Sequence, residues 1–312
     1  MLRTLVLIVY LFLTLDLIAQ CCSGGVPMAS NIGMGELEGR GFQLELSYDQ
    51  NSLEKLKSGS TNLKEKSRSR ITRTALLESG FSFGNGWSVD ALMSVVAQER
   101  TILIPLERQT RTSGFGDMAM LVKYRVNPML LVGYGLKLPT GKFDKNNELG
   151  LLLNADLQPG SGAWDQLAYM SLRHASSLRP SMTYSLSATA RLTGKNRHYL
   201  NETAVYEFGN EFVIVMGVSD MVLIKGLIIR PAVNINTRYA LRDKFDDIAF
   251  PSSGGIFLRV NPQVSVQASQ NIQVIANTTI PVFQHVFDTQ LAMTNRFNLG
   301  FHFTLSNNLL KL

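Results

Sequence analysis

The residues best placed to do chemistry are charges set inside stretches that otherwise alternate apolar with small polar side chains. They are the cations Lys123, Arg125, Lys137, Arg191, Arg230, Arg238, Arg259 and Arg296 and the acids Glu45, Asp90, Asp117, Glu207 and Glu211. Charges enclosed by a protein wall must be solvated or paired. These residues therefore define either a cation-rich aqueous pore that favours anions or an interior plugged by Arg–Glu ladders. The four histidines, His174, His198, His285 and His302, are scattered without metal-ligand spacing. Thr140-Gly141-Lys142 has the ending of a phosphate loop, but the first glycine is misplaced and Phe143 stands where a magnesium-binding hydroxyl belongs. Cys21 and Cys22 are adjacent, and a vicinal disulfide is strained, so they do not form a scaffold. As a thiol pair they could hold a soft metal, yet nothing nearby completes a site. The sequence thus predicts no cofactor and no catalytic residue.

The elements that must position these charges are strands. The chain has 312 residues, 45% apolar and only 17% charged, below the about 25% charge usual in soluble domains. Past the N-terminus no run of 18 or more apolar residues appears, so the apolar content is spread thinly instead of gathered into spanning helices. Segment 181–193 shows how: Met182, Tyr184, Leu186, Ala188, Ala190 and Leu192 share one face, while the other carries only Ser, Thr and Arg191. Segment 295–305 repeats the pattern with Phe297, Leu299, Phe301, Phe303 and Leu305. Twelve apolar faces meeting in a sandwich core would need charge-rich exteriors; the polar faces here are Ser, Thr, Asn, Gln and scattered Arg, which suits a wet lumen.

We therefore expect an all-β, transmembrane, antiparallel up-and-down β-barrel of about twelve strands. The predicted strands are 41–49, 69–84, 87–99, 115–126, 129–139, 163–174, 181–193, 203–217, 223–239, 255–268, 271–285 and 295–305. The connections alternate in length: 50–68, 100–114, 140–162, 194–202, 240–254 and 286–294 are long or medium, and the ones between are short. Short periplasmic turns and long external loops give this rhythm. Pro231, Pro262 and Pro281 fall inside predicted strands, where a missing ladder donor implies bulges.

The organisation expected is a signal peptide over 1–20, a segment 21–40 as a candidate plug, a barrel over 41–305 and a tail over 306–312. Arg3, the apolar run Leu5 to Leu15 and Ala19 make the signal; Cys21 behind it is either an unmodified thiol or a lipid attachment point. The net charge of +6 comes without a basic stripe interleaved with aromatics, so no nucleic-acid partner is expected. The dense run Lys64 to Arg73 reads as a solvated loop facing an anionic envelope surface. The partners expected are outer-membrane lipids and a small-molecule solute.

Three further pieces sit in order in the middle of the chain: Gly114-Phe115-Gly116-Asp117 with Lys123-Tyr124-Arg125, then Gly135-Leu136-Lys137-Leu138-Pro139-Thr140-Gly141, then Leu157-Gln158-Pro159-Gly160-Ser161-Gly162-Ala163-Trp164-Asp165. Over about a sixth of the chain this resembles the outer-membrane family associated with the meta-pathway of phenol degradation, often called simply a transporter. The resemblance implies a barrel in the bacterial outer membrane, akin to the long-chain fatty acid transporter group, that passes small hydrophobic or aromatic compounds by diffusion. It carries over no catalytic or ligand residues. Read physically, the motifs are rim structure: a tight Gly-x-Gly-Asp strand start, a Pro-Thr-Gly strand end, and Trp164 and Trp87 as interfacial aromatics at opposite ends. Two other functions fit a barrel. One is a non-transporting structural or adhesive protein working through loops 50–68, 140–162 and 240–254. The other is a barrel-embedded lipid hydrolase built on His174-Ala175-Ser176, whose His-x-Ser spacing is that of outer-membrane phospholipases but whose serine lacks the Asn-Gly that follows it there.

Overall fold

Alternation with period two turns one face of each strand to lipid and the other to water, and in lipid no strand edge can be left unpaired. The chain resolves both demands by closing its sheet. The computed structural model describes residues 39–103 and 107–306. The predicted signal peptide 1–20, nearly all of segment 21–40 with Cys21 and Cys22, and tail residues 307–312 lie outside the described residues.

The wall runs in chain order as β1 (Arg40–Gly59), β2 (Arg68–Gly84), β3 (Trp87–Ile102), β4 (Arg108–Phe115 continued by Met118–Arg125), β5 (Leu130–Leu138), β6 (Asp165–Ala175), β7 (Thr183–Leu192), β8 (Glu211–Ser219), β9 (Leu227–Ala240), β10 (Gly255–Gln267) and the long Ile272–Ser306. Each pairs antiparallel with its neighbours, and the last pairs with the first, Gly41 beside Ser306 and Ser58 beside Thr289. The long final strand folds back at Asp288, whose φ is 60°. Thr278 Oγ1 donates to the Arg296 carbonyl at 3.0 Å and the Thr304 N–H to the Asn271 carbonyl at 2.9 Å. Its two arms, 272–287 (β11) and 289–306 (β12), pair with β10 and β1 respectively, so the closed ring makes twelve passes of the wall.

Outward side chains form an apolar belt. On β3 they are Trp87, Val89, Ala91, Met93, Val95 and Ala97, followed by Glu99. At about 3.3 Å per residue and a tilt near 40°, this stretch spans roughly 25 Å, the height of an outer-membrane apolar band. Met93, Met120, Tyr134, Ile214, Met216, Phe297 and Phe301, all exposed, continue the belt on other strands. Trp87 stacks on Tyr124 at one rim and Trp164 is exposed at the other. Among the described residues no helix is long and apolar enough to cross a membrane; the strands do the crossing.

Several predicted boundaries shift. Segments 50–68, 100–114 and 286–294 are not long loops: their described residues form strand pairs that continue the wall past the belt, with turns near 60–67 and at 288. Beyond lipid both faces meet water, so alternation there no longer marks a strand. Segment 203–217 divides: Glu211–Ser219 belongs to the wall, whereas Ala204–Glu207 joins Lys195–Tyr199, Lys244–Phe245 and Ile248–Ala249 in a separate small sheet over the loop-bearing end.

Of the three prolines, only Pro281 sits at a register shift, opposite Arg259. Pro231 lies just past the last β8 partner of β9, Ala232. Pro262 falls where the β10–β11 ladder lapses between Val260 and Gln263. Each is placed where no donor is required, so a bulge is needed at one site and not at three.

Candidate functional site

Along the inner wall, charges from neighbouring strands alternate in sign. Lys137 at the top of β5 bridges Asp117 on β4 at 2.9 Å and Asp165 on β6 at 3.0 Å. Arg191 on β7 reaches Asp165 at 3.3 Å and Glu211 on β8 at 3.8 Å, and Arg238 on β9 pairs with Glu211. Cross-strand register makes this possible: Lys137 lies beside Asp165, and Glu211 beside Arg191. Nearer the short-turn end Lys123, fully enclosed, holds Asp90 at 2.6 Å. Opposite, Arg296 meets Asp49 at 2.6 Å, and His302 lies 3.4 Å from Glu45. A buried cation without an acid would be costly, so the pairing of this ring fixes each side chain in place.

Asp117 does more than balance charge. Its Oδ1 accepts the Gly141 N–H at 3.0 Å, and its Oδ2 accepts the Ser161 N–H at 2.9 Å and the Ser161 hydroxyl at 2.6 Å. All three motifs noted in the sequence therefore converge on one carboxylate, and they latch loop 139–164 to the inner wall. Gly141 and Gly160 touch backbone to backbone; a Cβ on Gly160 would sit 2.4 Å from the Gly141 carbonyl carbon, which is why glycine is needed. Deeper in, the short 3-10 turn Ala155–Leu157 brings Asp156 to Arg70 at 2.9 Å, and Gln158 is bound at both ends by the Lys145 backbone. The loop thus fills the loop-bearing mouth of the barrel.

Over the loop, Tyr199, Ala204 and Tyr206 of the small sheet, with Phe208 just past its end, bury Ala155. Asp243 anchors this cap, accepting from the Tyr206 hydroxyl at 2.7 Å and the Gly209 N–H at 2.8 Å. Burial outweighs these bonds and pushes the Asp243 carboxyl up to about 6. Burial, with the Asp243 charge behind it, raises the Tyr206 hydroxyl far above its ordinary range.

Below the ring a cavity of about 710 Å³ extends from mid-barrel residues such as Asp49, Asn236 and Arg259 to Thr183, Ser219 and Asn271 near the short turns. Its lining is dominated by Asn, Gln, Ser and Thr, with Glu45, Arg230, Arg259 and Arg296 on its surface.

The predicted site residues therefore divide. Lys123, Lys137, Arg191, Arg238, Arg259, Arg296, Glu45, Asp117 and Glu211 lie on the inner side of the wall. Arg230 lies low on it, its guanidinium 4.0 Å from Met221 Sδ, and Arg125 sits at the foot of β4 beside Gly86. Glu207 is a correction: it belongs to the small sheet outside the wall and pairs with Lys244 at 3.1 Å. Alternation carried the predicted strand straight through Phe208-Gly209-Asn210, where the chain in fact turns from the cap into the barrel. Arg70, Asp156 and Gln158 were missed; the signal available was the nearly uncharged stretch 149–163, unusual for a loop said to face water. Ser176 accepts the Arg179 N–H in a short turn, and no hydrogen bond joins it to His174 among the described residues. Among those residues there is also no group of three metal-ligating side chains.

A closed antiparallel ring with a lipid-facing belt and an ionic interior defines a bacterial outer-membrane β-barrel. The comparisons agree on that class. An outer membrane channel from Pseudomonas putida F1 superposes with a TM-score of 0.68 at 12% identity, covering 88% of this chain and 98% of that one. The β domain of the Bordetella autotransporter BrkA gives 0.50 at 9% identity, with 86% and 100% covered, and the transport unit of the Escherichia coli autotransporter AIDA-I gives 0.50 at 10%, with 89% and 95% covered. No family profile and no curated protein matches the sequence.

Proposed function

We propose that this protein is a passive outer-membrane channel for small solutes, with the cavity as its periplasmic vestibule and loop 139–164 as its outer constriction. The observation that carries this reading is the polar cavity of about 710 Å³ inside a lipid-facing wall, lined by Arg173, Arg230, Arg259 and Arg296 with Glu45, Asp49 and Glu78. A barrel serving only as an anchor gains nothing from holding Arg230 and Arg259 against water. The Pseudomonas putida channel of the same fold supports the reading, and the motif resemblance directs it towards hydrophobic or aromatic compounds. The lining adds a requirement: a solute crossing a surface of amides, hydroxyls and arginines carries a polar or anionic group besides any apolar part. The pore-lining residues are then Arg230, Arg259, Arg296 and Glu45 in the vestibule and the Lys137–Arg238 ring at the constriction.

One observation favours a second reading, a structural or adhesive barrel: the outer mouth is filled by a bonded loop and covered by a small sheet. Full-length protein in planar lipid bilayers separates the two. The channel reading expects discrete conductance steps with anions preferred, and faster uptake of benzoate into proteoliposomes. Silence in both assays would leave the structural reading standing.

A further inference from the structure

The enclosed cations of the inner wall are mostly engaged by a carboxylate: Lys123 by Asp90, Lys137 by Asp117 and Asp165, Arg191 by Asp165 and Glu211, Arg238 by Glu211, Arg296 by Asp49 and Arg70 by Asp156, whereas Arg173 and Arg230 on the cavity surface are exposed. Arg259 differs. It stands mid-height on β10, on the surface of the cavity, and among the described residues it makes neither an ion pair nor a hydrogen bond. Its guanidinium carbon lies 5.3 Å from the centre of the Phe257 ring, which Arg238 also approaches, at 5.2 Å. The ring braces the side chain and supplies no acceptor. Glu211, the nearest acid in the ring above, is already shared between Arg191 and Arg238.

Two amides adjoin this cation. Asn236 is its cross-strand partner and Asn261 is the next inward residue on the same strand. The Asn261 amide nitrogen donates to Thr279 Oγ1 at 2.6 Å. The Oδ1 atoms of both asparagines, like the Arg259 Nε, are enclosed with no hydrogen-bond partner among the described residues. One patch of the cavity lining is thus built from a planar cation beside two amides; their unpartnered atoms lie enclosed and come within reach of a ligand by side-chain rotation, and buried polar groups left so require partners.

We propose that Arg259, Asn236 and Asn261 form a binding site for a small hydroxylated carboxylate. The carboxylate lies in the plane of the guanidinium, which matches it with parallel N–H bonds, and hydroxyl groups of the same molecule donate to the two amide oxygens. A simple carboxylate satisfies the arginine and leaves the amides; a neutral polyol satisfies the amides and leaves the arginine. The site therefore prefers a molecule that does both. This proposal rests on the channel reading for its physiological meaning, since it names the class of solute that the vestibule selects.

Binding and conduction can be read separately. Isothermal titration of gluconate into the detergent-solubilised full-length protein needs no current. It should show one saturable site, with acetate and glucose each at least tenfold weaker. Arg259→Gln should weaken gluconate at least tenfold and Arg259→Lys by a smaller factor, because the lysine keeps the charge and loses the fork. Lys195→Gln, in the small sheet outside the wall, should leave affinity within twofold, and unchanged gel mobility of the unheated barrel checks that each variant is folded. In bilayers gluconate should block chloride current in the wild type and not in Arg259→Gln. Absent gluconate binding, or equal binding by wild type and Arg259→Gln, overturns the site even if the channel conducts. Normal binding without any conductance overturns the channel reading and leaves the site.

Discussion

Replacing Asp117 with alanine should release loop 139–164 from the wall and open the outer mouth. The carboxylate holds the loop through three bonds, from the Gly141 N–H, the Ser161 N–H and the Ser161 hydroxyl, at 3.0, 2.9 and 2.6 Å. Hydrogen bonds to a charged group contribute about 1.5–3 kcal/mol each, and bonds sharing one acceptor do not sum fully. Lys137 loses one of two acids and keeps Asp165 at 3.0 Å, which limits the electrostatic penalty. A net loss of roughly 3–5 kcal/mol follows, equivalent to about two to three and a half decades in the latch equilibrium at 1.4 kcal/mol per decade. Asp117→Asn, which keeps one carbonyl acceptor, should lose about 1–2 kcal/mol by the same reasoning. The readouts are single-channel conductance and external protease cleavage within 139–164 in proteoliposomes, both rising in the order wild type, Asn, Ala. If the alanine variant keeps wild-type conductance and protease resistance, the latch does not depend on this carboxylate and the reasoning fails.

Three other outcomes follow from the same geometry. Asp243 holds its proton up to about 6 in the folded cap, above the ordinary 3.8. Its stabilising contribution is therefore full below about pH 4 and is lost as pH rises through 6, amounting to about 3 kcal/mol; protection factors of the 204–209 amides, corrected for the intrinsic pH dependence of exchange, should be lower at pH 7.5 than at pH 5, and Asp243→Asn should flatten the difference. Asp156→Ala leaves Arg70 buried without its acid, an expected loss of about 3–5 kcal/mol, seen as a lower urea midpoint for the barrel. Gly160→Ala forces a Cβ to within 2.4 Å of the Gly141 backbone and should displace the loop as Asp117→Ala does, with the same gain in protease cleavage.

The wall was legible because lipid on one side and water on the other impose a strict period of two, and all twelve passes appear at or near the expected positions. Where that constraint ends, so does the signal. The hairpin ends of β1, β3 and β4 stand clear of the apolar band, and nothing in 50–59 or 108–114 tells a strand wetted on both faces from a loop. Glu207 was placed in the wall for the opposite reason: Ala204, Tyr206 and Phe208 alternate like the apolar face of a wall strand because they pack in the cap. The Asp117 latch was visible only as three ordered motifs of Gly, Pro, Ser and Asp, but their convergence spans 44 residues from Asp117 to Ser161, a distance no local pattern encodes. Arg259 was identifiable as an inward cation, while its lack of an acid depended on how every other carboxylate was used.

The seam between β1 and β12 joins the start of the described wall to its end, Gly41 with Ser306. Until that pairing forms, the sheet has two raw edges, each able to recruit a foreign strand. Every other hairpin can zip locally, so closure is the most non-local event in assembly and the slowest expected on topological grounds. Only then does the lumen become an inside, and the ionic ring that crosses β4 to β9 acquire a dry surrounding. The time spent as an open sheet, more than the strength of any finished contact, then sets how readily this chain aggregates before it reaches the membrane.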